Sequence, residues 1–300
     1  MIGTEATRTS WGVGPAEERA VVRVHGADAR DYLHRMSTQD LLALSPGRSA
    51  LTTFLDAKGH LLGDAQVLVR EEDVLLEIDP AAAPGAMAQL ERLVIADDVA
   101  FEDLSARVRV LPLLEPRGRP PRPEVEGVLA VLESRRRGVP ALDLVVNAGR
   151  AAEARRALLD AGAVEVSAGE LEVLRILGGR PRWGLDLDGS RLPMEAGLTC
   201  EAISFTKGCY VGQEVVVRAT SRGRLQKGLV VLDLPGVAGP GAKLLAAGQE
   251  VGWVTSAADA PDGRVGLGYL RRAHWRAGER LETAGGEAVV RRVVVEEPEA

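Results

Sequence analysis

Lys207 to Glu214 reads KGCYVGQE, eight positions that hold a thiol, an ammonium, a phenol, a carboxamide and a carboxylate. The chain has only two cysteines, so Cys209 is the sharpest candidate for chemistry. A thiol attacks an electrophile or binds a metal ion only as thiolate, and a nearby cation or a helix N-terminus favours that form. Lys207 is close in sequence, and Gly212-Gln213-Glu214 can open a short helix that would place Glu214 and Arg218 on one face. Val215–Val217 reads equally well as a strand, and periodicity does not arbitrate. The bland alternative is that an unpaired cysteine is a small buried hydrophobe. Cys200 lies nine residues before Cys209, a separation that matches no standard metal-binding pair.

Of the 37 basic residues only Lys58, Lys207, Lys227 and Lys243 are lysines. Where arginine serves nearly everywhere, a retained lysine points to a need for a compact ammonium. Chance placement is the plainer account for Lys58. Phe54, Asp56, Lys58 and Asp64 surround an expected hairpin, where Asp56 and Lys58 are ordinary turn residues. Arg135-Arg136-Arg137 reads as a solvated charged turn. No Walker-type or dinucleotide glycine pattern follows a strand.

These groups need elements to position them. Ala20–His25 alternates as a strand and Ala27–Met36 as an amphipathic helix. Arg48–Leu55 and Leu61–Arg70 form a hairpin whose tip is Lys58-Gly59, followed by a strand at Val74–Ile78 and a helix within Pro80–Ile95. Strands are expected at Val99–Phe101, Arg107–Leu114, Val128–Leu132 and Ala141–Val146. Helices follow at Arg150–Ala161 and, opened by a capping box at Ser167 to Glu170, up to about Leu177. Glu115–Glu126, rich in proline and arginine, is an exposed loop, and Gly178–Thr199 is loop-like. Beyond Arg224 the short runs Gly228–Leu234, Val251–Thr255, Val265–Tyr269 and Val289–Val295 alternate with Gly/Pro turns, the pattern of a small antiparallel barrel or sandwich. The expected division is 1–222 and 223–300.

With 46% hydrophobic but 3% aromatic residues, the core must be built mainly from Val, Leu, Ile and Ala. A net charge of −6 and a pI near 5.5 argue against nucleic-acid backbone binding, which needs clustered positive charge. No apolar run is long enough to span a membrane, no leader is expected, and the cysteine usage suits reduced thiols in a cytoplasmic protein. No His/Cys cluster has zinc spacing, so no metal site is expected.

KGCYVGQE followed by Arg218 resembles the signature of the YgfZ family of folate-binding proteins, relatives of the glycine-cleavage T-protein, an aminomethyltransferase. The resemblance extends over nearly the whole chain: VHGADARDYLHRMSTQDLLALSPGRSALTTFLDAKGHLLGDA is similar to the family's N-terminal block, RPRWGLDLDGSRLPMEAGL to the stretch before the signature, and VGWVTSA with GLGYLRR to its C-terminal barrel. It implies an α+β protein, with an aminomethyltransferase-like folate-binding region of two antiparallel lobes and a C-terminal antiparallel β-barrel. The implied cofactor is tetrahydrofolate or a derivative, held in a central cleft. The implied role is assistance to iron–sulfur cluster assembly or repair, with links to tRNA-thiolating enzymes. Iron–sulfur enzymes or assembly factors are the implied partners.

Carried over by motif, Cys209 is the working thiol, shaped by Lys207, Tyr210, Gln213, Glu214 and Arg218. Phe54, Asp56 and Asp64 line the folate cleft, and Lys207, Arg218, Arg222 and Arg224 could attract an anionic polyglutamyl tail. Two carboxylates of the T-protein are missing. EIDPAAAPGAM has Ala86 or Met87 where the transfer aspartate is expected, and Arg175-Ile176-Leu177-Gly178-Gly179 replaces its Arg-Leu-Glu-Ala-Gly. Loss of a charge-stabilising partner usually costs orders of magnitude in rate, which disfavours aminomethyl transfer. The alternatives are a folate-dependent one-carbon transferase using Asp79 or Asp64, and a non-catalytic docking protein.

Overall fold

The computed structural model describes residues 10–115, 124–221 and 225–295. In chain order, β1 (Gly12–Val13) and β2 (Ala20–His25) precede α1 (Ala29–Met36), and β3 (Ser49–Leu55), β4 (Leu61–Val69) and β5 (Asp73–Ile78) precede α2 (Ala83–Arg92). Then come β6 (Ala100–Asp103), β7 (Val108–Leu114), β8 (Val128–Ser134), β9 (Ala141–Asn147), α3 (Ala151–Asp160), β10 (Val164–Glu165) and α4 (Ala168–Leu177). A 3-10 turn at Pro193–Ala196, α5 (Thr199–Ala202) and α6 (Gln213–Ser221) lead to β11 (Lys227–Leu234), β12 (Lys243–Ala246), β13 (Gln249–Ala260), β14 (Gly263–Arg271), β15 (Arg280–Thr283) and β16 (Gly286–Val293). None of these helices is long and apolar enough to cross a membrane.

The first lobe is an antiparallel sheet in the order β3-β4-β5-β2-β6. One face buries Val22, Val24, Leu76 and Ile78 against Tyr32 and Leu33 of α1 and Leu90 of α2. The second lobe orders its strands β10-β1-β7-β9-β8, with α3 packed through Ala154 and Leu158 onto Trp11, Leu111 and Leu144. The sheet is antiparallel as expected except at its edge, where β1 runs parallel to β10. Both strands are two residues long, too short to show any period.

The other faces of the two sheets meet. Val21, Leu68 and Leu75 from the first pack on Val108, Val110, Leu132 and Val145 from the second. Burying an apolar face on an apolar face contributes roughly 25 cal/mol per Å² removed from water. The third unit is a closed six-stranded barrel, β11-β14-β13-β12-β15-β16. Its interior is filled by residues such as Val230, Leu232, Val254, Leu270 and Val290, and closure leaves no free strand edge. Sequence periodicity missed β12 and β15, each four residues, because neither holds enough turns of the pattern.

Ser167 opens α4 as expected: its hydroxyl accepts from the Glu170 N–H at 3.2 Å and the Glu170 carboxylate accepts from the Ser167 N–H at 2.8 Å. α4 is tied to the barrel by a buried charge. Arg175 donates to the Asp186 carboxylate at 2.7 Å and to Ser256 of β13 at 2.8 Å, and Asp186 accepts further bonds from Arg182 N–H, Thr255 and Ser256.

The triple-arginine turn is corrected. Arg135 is exposed, but the Arg136 and Arg137 side chains are only 13% and 12% exposed. Gly138, at φ +79°, presses the turn against the end of α4, where an added Cβ would stand 2.1 Å from the Leu174 carbonyl oxygen. That placement drives the two guanidiniums toward buried acids. Arg137 pairs with Glu17 at 2.8 Å and Asp143 at 3.3 Å, and Arg136 donates to the Glu77 carbonyl at 2.7 Å. Arg19 completes the cluster, bonding Glu77 at 2.7 Å and Asp79 at 3.0 Å. Burial pushes the Asp143 and Glu17 carboxyls up, opposed by Arg137. For Glu77, the guanidiniums outweigh burial and hold it ionised. A turn that looked solvated is therefore part of the seam between the lobes.

α6 ends at Ser221 and β11 begins at Lys227. Residues 222–224, where the sequence division falls, and most of the proline-rich loop, 116–123, lie outside the described residues.

Candidate functional site

The signature is built from the first lobe upward. The Ser204 N–H donates to the Thr38 carbonyl at 2.9 Å, the Thr38 hydroxyl to Ala202 O at 2.5 Å, and the Gln39 amide to Glu201 O at 2.9 Å. Lys207 finishes this seam. Its ammonium is buried and donates to the carbonyls of His34, Ser37 (2.7 Å) and Gln39 (2.9 Å), at the end of α1. Burial pushes its pKa down to about 8, against the pull of Asp40. The three carbonyls use all three N–H donors, so the ammonium pins the chain and has no hydrogen left for the thiol two residues on. The Tyr210 ring lies 5.2 Å from the Lys207 nitrogen and is buried beside Leu55, Leu61 and Val216.

Cys209, between these two buried anchors, is exposed. Gln213–Ser221 is the helix α6, which decides between the helix and strand readings. Gly212, at φ +82°, lets the helix start against the hairpin tip, where a Cβ would sit 2.7 Å from Asp56 O. Glu214 and Arg218 form the expected pair at 2.6 Å on the exposed side, and Gln213 is half-buried. Cys200, on α5, is also exposed. Among the described residues no group of His, Cys, Asp and Glu is placed to hold a metal ion.

A cavity of about 490 Å³ opens between the lobes, walled by β3, β4, β8 and the segment from Arg180 to Glu201. Asp64 lines it, as do Arg48, Arg135, Arg136, Arg180 and Glu201. Arg48 pairs with Glu133 at 3.2 Å and Arg180 with Glu201 at 2.5 Å, while Arg135 makes no ion pair among the described residues. Burial pushes the Asp64 carboxyl up, opposed by Arg136 and Arg19. No described side chain donates to it, so it is an acceptor facing an open space of ligand size.

Asp64 is thus the one candidate that lines this cavity. Phe54 is fully buried in the first-lobe core. Asp56 accepts from the Lys58 and His60 N–H groups at 2.8 and 2.9 Å, the bonds of a tight turn. Lys207, Tyr210, Gln213, Glu214 and Arg218 belong to the signature seam and α6. Of the basic residues expected near an anionic tail, Lys207 and Arg218 are engaged, and Arg222 and Arg224 lie outside the described residues. Arg136 and Arg180 were missed as cavity residues. The only signal was the RPRW run from Arg180, since charge pattern does not reveal which arginines converge. The positions where the T-protein carboxylates are expected hold packing groups: Ala86 is fully buried in the first-lobe core, with Met87 against it, and Leu177 packs on the cluster between α4 and the barrel.

Residues 3–120 match the GCVT N-terminal domain family. The chain is 30% identical to the mitochondrial iron–sulfur cluster assembly factor IBA57 of Mus musculus, over 97% of this chain and 83% of that one. It is 28% identical to an aminomethyltransferase of Rubrobacter xylanophilus, over 89% and 77% of the two chains. A chloroplastic relative from Arabidopsis thaliana, named as a transferase, is 26% identical over 84% of this chain, which spans 63% of that protein's length. The crystal structure of the glycine cleavage system aminomethyltransferase T from Bartonella henselae has the same fold, with a TM-score of 0.81 at 22% identity over 97% of this chain and 88% of that one.

Proposed function

Because this chain belongs to the GCVT family of aminomethyltransferase-like proteins, we propose that it binds a folate between its lobes and supports iron–sulfur cluster assembly or repair through Cys209. The observation that carries this reading is the interlobe cavity of about 490 Å³ with the Asp64 carboxyl facing it. The lining fits a folate. A buried acceptor suits ring N–H groups, and the Arg135 guanidinium at the wall suits a glutamyl carboxylate. When bound, the folate would supply one-carbon carriage. The chain's own part is to hold the ring at Asp64 and keep the tail at the arginines.

The choice of assembly over aminomethyl transfer rests on Ala86 and Leu177, which stand as packing residues where transferase carboxylates are expected. The mouse relative named as an assembly factor supports the same choice. Enzymes that thiolate tRNA by means of such clusters are one client class. A one-carbon transferase would have to work through Asp64, since Asp79 is held by Arg19 at 3.0 Å.

Calorimetric titration with tetrahydrofolate is expected to give saturable binding, and Asp64→Asn to weaken it about 10–100-fold, the worth of a hydrogen bond to a charged group. Absence of saturable binding by the wild-type protein would remove the reading. Cys209→Ser is expected to leave the thermal midpoint within about 2 °C, as exposed substitutions do, while iron–sulfur enzyme activity falls in cells lacking the wild-type protein. Full activity with the serine variant would rule out the thiol.

A further inference from the structure

Asp64 sits where a negative charge is hard to hold. It is buried on β4, lines the interlobe cavity and lies in the field of the ion cluster at the seam. That cluster sets Glu17, Asp64, Glu77, Asp79 and Asp143 against Arg19, Arg136 and Arg137, so carboxyls outnumber guanidiniums. The other carboxyls take the short contacts. Arg19 bonds Glu77 at 2.7 Å and Asp79 at 3.0 Å, and Arg137 reaches Glu17 at 2.8 Å and Asp143 at 3.3 Å. Arg136 donates to the Glu77 carbonyl at 2.7 Å and stands 3.7 Å from its carboxylate. The buried Arg19 Nη2 and Arg136 Nε have no hydrogen-bond partner, so neither reaches Asp64. Both arginines act on Asp64 through their field alone, and burial together with the charge of Asp79 opposes them. Elsewhere on the wall Arg48 and Arg180 are paired with Glu133 and Glu201, and Arg135 shares the lining with Glu115. The wall therefore supplies no surplus cation to Asp64.

A buried carboxyl with no bonded cation keeps its proton, because nothing offsets the hydration lost on ionising. The neutral acid offers one O–H donor and one free acceptor oxygen. The 2-amino-4-oxopyrimidine edge of a pterin presents two parallel N–H donors, which match the two oxygens of a carboxylate and meet a clash at an O–H. Given a folate in the cavity, as proposed above, we infer that its ring displaces the acid proton of Asp64, so that binding releases about one proton to solvent. The two ring N–H groups then take the place of the O–H. Affinity is lost on the acid side, where the proton must be removed before the ring can seat.

Anaerobic calorimetric titration with tetrahydrofolate from about pH 5.5 to about pH 7.5, in PIPES and in Bis-Tris, tests this. The two buffers differ in ionisation enthalpy, so the wild-type binding heat should differ between them in proportion to the proton released. Wild-type affinity should rise with pH by up to about tenfold per unit. Asp64→Asn copies the shape of the neutral acid. It should lose the buffer dependence, bind about 10–100-fold more weakly than the wild type at the alkaline end and match it at the acid end. Its thermal midpoint without ligand should stay within about 2 °C of the wild type, because an amide replaces an uncharged group. Saturable binding with the same heat in both buffers, or a wild-type to variant ratio constant across the pH range, would overturn the proton release and leave the folate reading standing. A fall of about 10 °C in the variant's midpoint would also overturn it, by showing that Asp64 was an ionised partner of the arginines. No saturable binding at any pH would remove both.

Discussion

Arg175→Met is expected to lower stability by about 3–5 kcal/mol, the usual result of leaving a buried charge without its partner. Arg175 is buried in α4 and reaches Asp186 at 2.7 Å, Ser256 at 2.8 Å, Glu172 at 2.6 Å and the Arg180 carbonyl at 2.6 Å. Asp186 is more completely buried still. With methionine in place, the Arg182 N–H and the Thr255 and Ser256 hydroxyls still reach that carboxylate, but no cation does. Differential scanning calorimetry should show a fall in the thermal midpoint on the order of 10 °C. Because the loss comes from a stranded charge, Arg175→Met combined with Asp186→Asn should recover more than half of it. A single-variant loss under about 1 kcal/mol would mean that water, rather than this pair, satisfies the seam between α4 and the barrel.

Lys207→Met is expected to cost about 3 kcal/mol, and locally before globally. Methionine keeps the length of the side chain and its packing beside Tyr210, but removes the donor to three carbonyls at the end of α1. Each buried acceptor left unmade costs about 1–3 kcal/mol, and partial entry of water reduces the sum. The expected readout is amide hydrogen exchange at Ser204, whose N–H bonds Thr38 O at 2.9 Å. Its protection should fall about 100-fold, the equivalent of about 3 kcal/mol of easier local opening. Unchanged protection there would show that the hydroxyl of Thr38 and the amide of Gln39 hold the seam without the ammonium.

Lys207 also shows which parts of the site could be seen in advance. Its rarity as a lysine marked it out, and the compact ammonium is what three converging carbonyls require. Its partners, however, sit at positions 34, 37 and 39, and no local pattern connects them to position 207. The Arg136-Arg137 pair is the opposite case. Read locally it is a polar turn, because charge runs are usually solvated. In the fold it is drawn under the lobes by Glu17, Glu77 and Asp143.

Asp64 is expected from the resemblance, and in the fold it is a buried carboxyl lining the interlobe cavity, with no hydrogen bond from a described side chain. Phe54 and Asp56 came by the same route and stand instead in the core and in a turn. The β3–β4 hairpin, α3, the capped start of α4 and the main barrel strands carry their own period and turn residues over six or more positions, which is enough for a pattern to declare itself. The two-residue strands β1 and β10 carry none.

Local chemistry along the chain was therefore sufficient for the longer elements, for the barrel texture beyond position 224 and for singling out Cys209 and Lys207. These depend on neighbours within a few residues, through hydrogen bonding to the backbone and the alternation of apolar side chains. Folding alone decided which charges are buried, that Lys207 serves the end of α1, and that Arg136, Arg180 and Asp64 share one cavity. Those outcomes depend on groups brought together from distant parts of the chain, and their energies turn on burial, a property that no residue possesses until the lobes have closed.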